Sequence, residues 1–283
     1  MNTTQKRVAA IHDLSGFGKC SLSIILPVLS SMGNEVCCLP TAVLSSHTGG
    51  LPGVVKKDMT EEMPGFLRQW KALKIPFDGI YTGFLGNATQ IEIVQEFIKT
   101  FRGAGTLVMV DPAMADHGSL YATYTAEMAE GTKKLCRQAD IIVPNMTEAA
   151  MLLDEDYREG PYTRTWVEET LHRLTALGPR VVVLTGVWFA PELLGAAAYD
   201  RVTGETSYAL SRHVPGSYPG TGDLFASVLL GALLNGHKLR DALQLAADFT
   251  ACSIRRTYEA GTNPRWGVCF EPELPRLMRQ LGF

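Results

Sequence analysis

The feature that most restricts this chain is an alternation. Short apolar runs are followed, one after another, by longer segments with helical spacing. Val8 to His12 precedes a helical pattern over Ser21 to Met32, Val36 to Leu44 precedes one over Thr60 to Leu73, and Gly79 to Tyr81 precedes one over Thr89 to Phe101. Thr106 to Val110, Ile141 to Val143 and Val181 to Leu184 are further strand-like runs. Such alternation predicts an α/β fold, a mostly parallel sheet with helices on both faces. The rhythm changes late, between Leu194 and Arg212. There Ala196 to Tyr199, a turn through Thr203-Gly204, and Thr206 to Leu210 read as a β-hairpin. Helical patterns follow over Leu224 to Leu234, Leu239 to Thr257 and Pro272 to Leu281. No internal repeat and no Pro/Gly/Ser-rich linker divides the chain, so residues 1–283 are expected to form a single domain.

Composition removes several function classes. Hydrophobic residues are 46% of the 283, enough for a sizeable core. Charged residues are 19% and the net charge is -3, so the basic footprint of a nucleic-acid binder is missing. The apolar run after the N-terminal Met1 to Arg7 is too short for a signal segment or a membrane span, and no longer apolar stretch follows. A cytoplasmic protein with no membrane partner is expected. The six cysteines form no C-x-x-C pair and no H-E-x-x-H occurs, so a zinc site is not expected.

In open α/β sheets ligands bind beyond the C-terminal ends of the strands, so the loops there carry the chemistry. The strongest local signal is Pro219-Gly220-Thr221-Gly222-Asp223-Leu224-Phe225-Ala226-Ser227. Glycines bring backbone N–H groups close to a ligand, and a helix N-terminus adds unpaired donors and a positive dipole end. Together these suit phosphate oxygens and the charge that builds on a transferring phosphoryl group. A carboxylate at Asp223 is placed to take a proton from an attacking hydroxyl. The competing reading of Asp223 is a helix cap. Gly16-Phe17-Gly18-Lys19-Cys20-Ser21 tempts two other readings and fails both. It has Ser where the dinucleotide fingerprint needs Gly or Ala, and Cys after Lys where the P-loop needs Ser or Thr.

The turn at Gly220-Thr221-Gly222-Asp223 resembles the G-T-G-D signature of the ribokinase superfamily, and its extension through Leu224-Phe225-Ala226 resembles the pyridoxal kinase branch. The resemblance implies that Asp223 is the catalytic base and that the Gly220, Thr221 and Gly222 amides form an anion hole. Asp111-Pro112-Ala113-Met114 is similar to the family's D-P-V-M segment, which implies a Mg²⁺ role for Asp111, with a flap over the nucleotide at Asp116 to Thr125. Asn145-Met146-Thr147-Glu148 resembles the N-x-x-E motif linked to Mg²⁺ and phosphate, and Thr185-Gly186 resembles a position near the ATP phosphates. Taken alone, Asp111 also reads as a turn residue before Pro, and Asn145 with Glu148 as an ordinary helix start.

Asp13-Leu14-Ser15-Gly16-Phe17-Gly18 resembles the D-x-S-G-x-G turn of hydroxymethylpyrimidine and pyridoxine kinases, where the acidic position meets the substrate ring. Ser46-His47-Thr48-Gly49 resembles the S-N-H-T-G stretch of pyridoxal kinases, whose threonine contacts the pyridine. His47 reads as a base, a stacking partner or a loop residue. Thr82-Gly83-Phe84 resembles T-G-Y, with Phe84 keeping a packing face and losing a hydroxyl. Asp13, Ser15, His47, Thr48 and Phe84 are thus the candidate substrate contacts.

By resemblance the expected reaction transfers the γ-phosphoryl of ATP to the hydroxymethyl group of a vitamin B6 vitamer, with Mg²⁺ and, in some relatives, a monovalent cation such as K⁺. The nucleotide is expected near Asn145, Glu148, Thr185, Gly186 and Thr221, the metal near Asp111 and Glu148. A homodimer is implied by the same resemblance. The alternatives are a hydroxymethylpyrimidine kinase, which Asp13 favours, and a non-catalytic vitamer-binding protein, which has no need of Asp223. The kinase readings require residue 223 to share one cleft with positions 13, 48 and 111.

Overall fold

The computed structural model describes residues 5–283; residues 1–4, the start of the lead-in read above, lie outside it. In chain order the elements are β1 (Arg7–Ser15), α1 (Leu22–Ser31), β2 (Glu35–Leu44), β3 (Lys56–Asp58), α2 (Met63–Ala72), β4 (Gly79–Thr82), α3 (Ala88–Phe101), β5 (Leu107–Val110), β6 (Ala115–Asp116), β7 (Ser119–Leu120), α4 (Ala126–Cys136), β8 (Ile141–Ile142), α5 (Met146–Leu152), α6 (Arg164–Thr175), β9 (Val181–Val187), β10 (Leu193–Asp200), β11 (Glu205–Arg212), α7 (Thr221–Leu234), α8 (Leu239–Glu259) and α9 (Leu274–Gln280). Nine strands make one sheet in the order β11-β10-β9-β8-β5-β4-β1-β2-β3. The run from β9 to β2 is parallel, while β3 and the β10–β11 hairpin join antiparallel at the two edges.

The strand period of two divides the core between the faces. Val8 and Ala10 of β1 pack toward α1, α7 and α8, and Ala9 and Ile11 pack toward the helices α2 to α6. Burying each Leu or Ile side chain in these layers contributes about 1.5–3 kcal/mol. Helix α7 is buried from Leu224 through Ala232, so its apolar sequence runs around the whole cylinder rather than along one stripe. Among the described residues, no helix is long and apolar enough to cross a membrane.

Several boundaries differ from the expectation. Strand β1 runs on to Ser15 because Leu14 and Ser15 pair with Val43 and Leu44 across a register shift, so Asp13 and Ser15 lie on the strand and not in a turn after it. Strand β9 continues through Thr185-Gly186 to Val187, which pairs with Gly195 of β10. Helix α7 starts at Thr221, three residues earlier than its apolar pattern. Helices α4, α5 and α6 were not legible as apolar runs, yet each has a readable N-cap: Thr125, Asn145 and Thr163 accept a hydrogen bond from the residue three positions on.

From β1 the chain moves outward to β2 on one side, and from β4 it moves outward through β5, β8 and β9 on the other. The order therefore reverses between β1 and β4. In open sheets a crevice opens at such a point beyond the strands' C-terminal ends. His12 and Asp13 stand at the end of β1, Tyr81 to Gly83 at the end of β4, and Asp111 directly after β5.

Candidate active site

The N-terminus of α7 forms one wall. Its cap, Gly220, has φ +82°, and a Cβ there would lie 2.1 Å from the Lys19 carbonyl oxygen, so no other residue fits the turn. Thr221 Oγ1 donates to the Tyr218 carbonyl (2.9 Å), fixing the lead-in. A Cβ on Gly222 would meet nothing within 4 Å, so open space adjoins the first turn, whose amides have no partner within the helix. Asp223 does not cap this helix. Its Oδ2 accepts instead from the Ser21 amide, 2.8 Å away on the segment before α1.

Ser21 ties two carboxylates together. Its amide donates to Asp223, and its Oγ donates to Asp13 Oδ1 at 2.6 Å. Ser15 Oγ donates to Asp13 Oδ2 at 3.1 Å. Asp13 is pushed above its usual range by burial, and the two serine hydroxyls oppose the shift. Asp223 is pushed up to about 8, chiefly by burial, with the negative charges of Asp111 and Asp13 adding to it and the Ser21 amide opposing. Its side chain nonetheless keeps 19% of its surface accessible, so the carboxylate reaches the crevice. Its Oδ1 lies 3.9 Å from Nδ1 of His12. That imidazole is fully buried and burial pushes its pKa down to about 3, so the ring is neutral and the pair is no salt bridge.

The loop after β2 lies beside this wall. His47 Nδ1 accepts from the Gly49 amide (3.0 Å), and Nε2 lies 2.6 Å from the Arg265 carbonyl, which assigns the proton to Nε2. Both nitrogens are committed, so His47 is a pin for the loop rather than a free base. It leaves Thr48 exposed on the rim. A Cβ on Gly49 would touch Pro219, so the loop lies against the lead-in to α7. Phe84 is half-buried and packs toward Tyr124, ring centroids 6.3 Å apart, at the foot of the flap.

The other wall comes from the ends of β5, β8 and β9. Asp111 Oδ1 accepts from the Ala113 amide (3.2 Å) in a local turn that holds Ala113 at φ +40°. Asn145 and Glu148 form a capping box: the Asn145 side chain accepts from the Glu148 amide, and Glu148 Oε2 accepts from the Asn145 amide, both at 2.9 Å. Glu148 Oε1 also accepts from Met114 N–H (2.9 Å), and Asn145 Nδ2 donates to the Ala115 carbonyl (2.8 Å). Thr147 Oγ1 accepts from Gly118 N–H (3.0 Å), so the β6–β7 flap is strapped to the start of α5. Thr185 bridges to Asn145 across the sheet, and Gly186 beside it is exposed with φ +75°.

These residues fit a divalent cation. Burial raises Asp111 and Glu148 above their ordinary range, each beside other negative charge, and no basic side chain forms an ion pair with either among the described residues. Both offer hard oxygen donors, the ligand type Mg²⁺ takes. Among the described residues no cluster of three or more His, Cys, Asp or Glu could hold a metal alone. That too suits Mg²⁺, which uses one or two carboxylates and completes its shell with waters and substrate phosphates. Glu148 has both oxygens engaged by backbone amides, so Asp111 is the more available ligand.

Asp223 thus meets Asp13 through Ser21 and feels Asp111 across the crevice, with the Thr48 loop beside its helix. Ser21 and His12 were missed as site residues. Ser21 has no motif beyond its place before a helix, and its φ of +52° is visible only in three dimensions. His12 read as the last residue of a buried strand. A parallel sheet, a carboxylate at an open helix N-terminus and a second acidic wall define a ribokinase-like phosphotransferase with an alcohol group as acceptor.

The chain belongs to the phosphomethylpyrimidine kinase family, whose model matches residues 29–266, and within the ribokinase superfamily it falls in the pyridoxal kinase branch. It is similar to a putative phosphomethylpyrimidine kinase of Bacteroides thetaiotaomicron solved with pyridoxal: 41% identity over 99% of this chain and 96% of that one, TM-score 0.92. The pyridoxal kinase of Lactobacillus plantarum is 30% identical over 98% of both chains, TM-score 0.89. A pyridoxal kinase of Actinobacillus succinogenes is 31% identical over 86% of each chain.

Proposed function

We propose that this protein phosphorylates the hydroxymethyl group of a vitamin B6 vitamer (pyridoxal, pyridoxine or pyridoxamine) to the 5'-phosphate, with ATP as donor. The observation that carries the reading is the Asp223 carboxylate, part-buried yet still open to the crevice, at a helix N-terminus whose flank is open; burial raises its pKa to about 8. A base with a value near working pH combines a useful charged fraction with real affinity for the alcohol proton. Asp223 takes that proton as the oxygen attacks the γ-phosphorus in line, and the bond from the γ-phosphorus to the β-phosphate oxygen breaks to release ADP. The Gly220 to Gly222 amides hold the charge on the transferring oxygens. Asp111 would hold Mg²⁺, with Glu148 and Asn145 organising its surroundings; the cation would offset charge on the nucleotide phosphates. Thr185 and Gly186 line the nucleotide side. Asp13, Ser15, Thr48 and Phe84 shape the vitamer pocket, and His47 fixes its rim. The flap on α5 excludes water and so limits ATP hydrolysis. The protein works as a single domain within a homodimer in the cytoplasm; a K⁺ requirement is carried by resemblance alone.

A second reading, phosphorylation of hydroxymethylpyrimidine, is favoured by the family description and by the acidic Asp13. Both are tested by incubating the protein with MgATP and each vitamer or hydroxymethylpyrimidine, and measuring ADP and phosphorylated product. Turnover with B6 vitamers at higher kcat/KM supports the first reading. Turnover only with the pyrimidine replaces it, and binding without ADP formation makes the protein a vitamer-binding module.

A further inference from the structure

Among the described residues His12 is the one buried imidazole in the sheet, and it is out of balance. Neither of its ring nitrogens makes a well-formed hydrogen bond to a described residue, though the ring is fully buried; the Tyr81 backbone is the one polar neighbour that acts on it, and only weakly against the burial. Leaving such groups unpaired costs on the order of 1–3 kcal/mol each, so native interiors rarely tolerate it without a use. The ring is also held in place. It packs edge-on against Tyr81, centroids 4.3 Å apart, and a Cβ on Gly83 would lie 2.4 Å from its Cε1 and 2.6 Å from its Nδ1. The absence of a side chain at position 83 therefore makes room for this imidazole at the end of β4. Nδ1 lies 3.9 Å from Asp223 Oδ1, too long for a direct hydrogen bond. The second carboxylate oxygen is already fixed by the Ser21 amide.

We propose that His12 is a positioning residue for Asp223: its Nδ1–H closes onto Oδ1 in the loaded enzyme and, with the Ser21 amide on Oδ2, sets the rotation of the carboxylate. A shift of about 1 Å brings the pair to hydrogen-bond distance. With one lone pair on each oxygen occupied, the remaining ones are directed at the alcohol. The neutral ring serves as a fixed dipole, so it neither receives the substrate proton nor leaves the site. The inference rests on the reading of Asp223 as the base.

The test uses the full chain with MgATP and pyridoxal, and three substitutions: His12→Leu, His12→Asn and Gly83→Ala. Leu removes the donor, Asn keeps an amide N–H close to the place of Nδ1, and Ala at 83 displaces the ring without touching its chemistry. The expected result is a fall in kcat on the order of 10- to 100-fold for His12→Leu and a smaller fall for Gly83→Ala, with KM for ATP and pyridoxal nearly unchanged. His12→Asn should recover most of the loss. Equal kcat in all three overturns the proposal. So does a loss that Asn fails to recover and that follows the melting temperature, because that pattern is a packing defect. Asp223→Asn run alongside separates the two ideas: if it retains turnover the base assignment fails, and if it alone abolishes turnover only the His12 role fails.

Discussion

The N-termini of α5 and α7 at this crevice are built in opposite ways. At α5 the helix caps itself: Asn145 and Glu148 exchange hydrogen bonds, and the spare Glu148 oxygen holds the flap backbone. At α7 the cap is a glycine with no side chain, and the acidic residue in the first turn gives its hydrogen bond to another segment. The first end is filled by its own side chains and the second is left open. Two helix starts with an acid in the first turn therefore differ: one fastens the flap, and the other leaves backbone donors free beside a carboxylate, the arrangement the proposed function uses.

The sharpest break of this comparison is Asp223→Asn. It keeps the shape and the Ser21 contact on one oxygen but removes the base, so kcat should fall about 10²- to 10⁴-fold while nucleotide binding persists; an ADP-release assay with a nucleotide thermal shift measures both. Filling the open end comes next. Gly222→Ala places a methyl in free space and should fold normally, yet it crowds the anion site and should cost about tenfold or more in kcat/KM by steady-state kinetics. Closing the turn at Gly220→Ala should instead damage folding, because the added Cβ meets the Lys19 carbonyl at 2.1 Å; thermal melts should show a loss of about 1–3 kcal/mol or more.

The self-capped end should respond less and in another currency. Asn145→Ala removes the cap and the flap contact, and should cost about 0.5–2 kcal/mol in stability and raise the KM for MgATP, with only a modest change in kcat. A fall in kcat as large as that of Asp223→Asn would erase the distinction between the ends.

Acidity sharpens the contrast with the smallest change to the molecule. As the proposed base, Asp223 must be ionised, so kcat/KM should rise with pH and level off above about 8, as a pH–rate profile would show. The same shift has a stability consequence. Asp223 holds its proton in the folded protein between about 4 and about 8, where the unfolded chain has released it. This group therefore stabilises the fold at low pH, and the contribution is lost as pH rises through about 8. Asp223→Asn should flatten that slope in thermal melts. His12 acts in the opposite sense: its folded value near 3 lies below the ordinary 6.5, so its contribution is lost as pH falls through that window.

The sequence by itself determined the parallel sheet, the late hairpin and the glycine turn before α7. These follow from local chemistry: apolar runs of strand length, crossover segments long enough for helices, and glycines where the backbone must turn. It also carried the acidic residues of both walls as separate motifs at strand ends. Only the tertiary structure decided what those residues do to one another. Asp223 could be read as a cap until the fold brought Ser21, 202 positions away in the chain, against its carboxylate. His47 could be a base until the Arg265 carbonyl occupied its second nitrogen, and His12 was an ordinary strand residue until the fold buried it 3.9 Å from the Asp223 carboxylate. Hydrogen-bond partners and desolvation depend on through-space neighbours from remote segments, and local periodicity does not encode them.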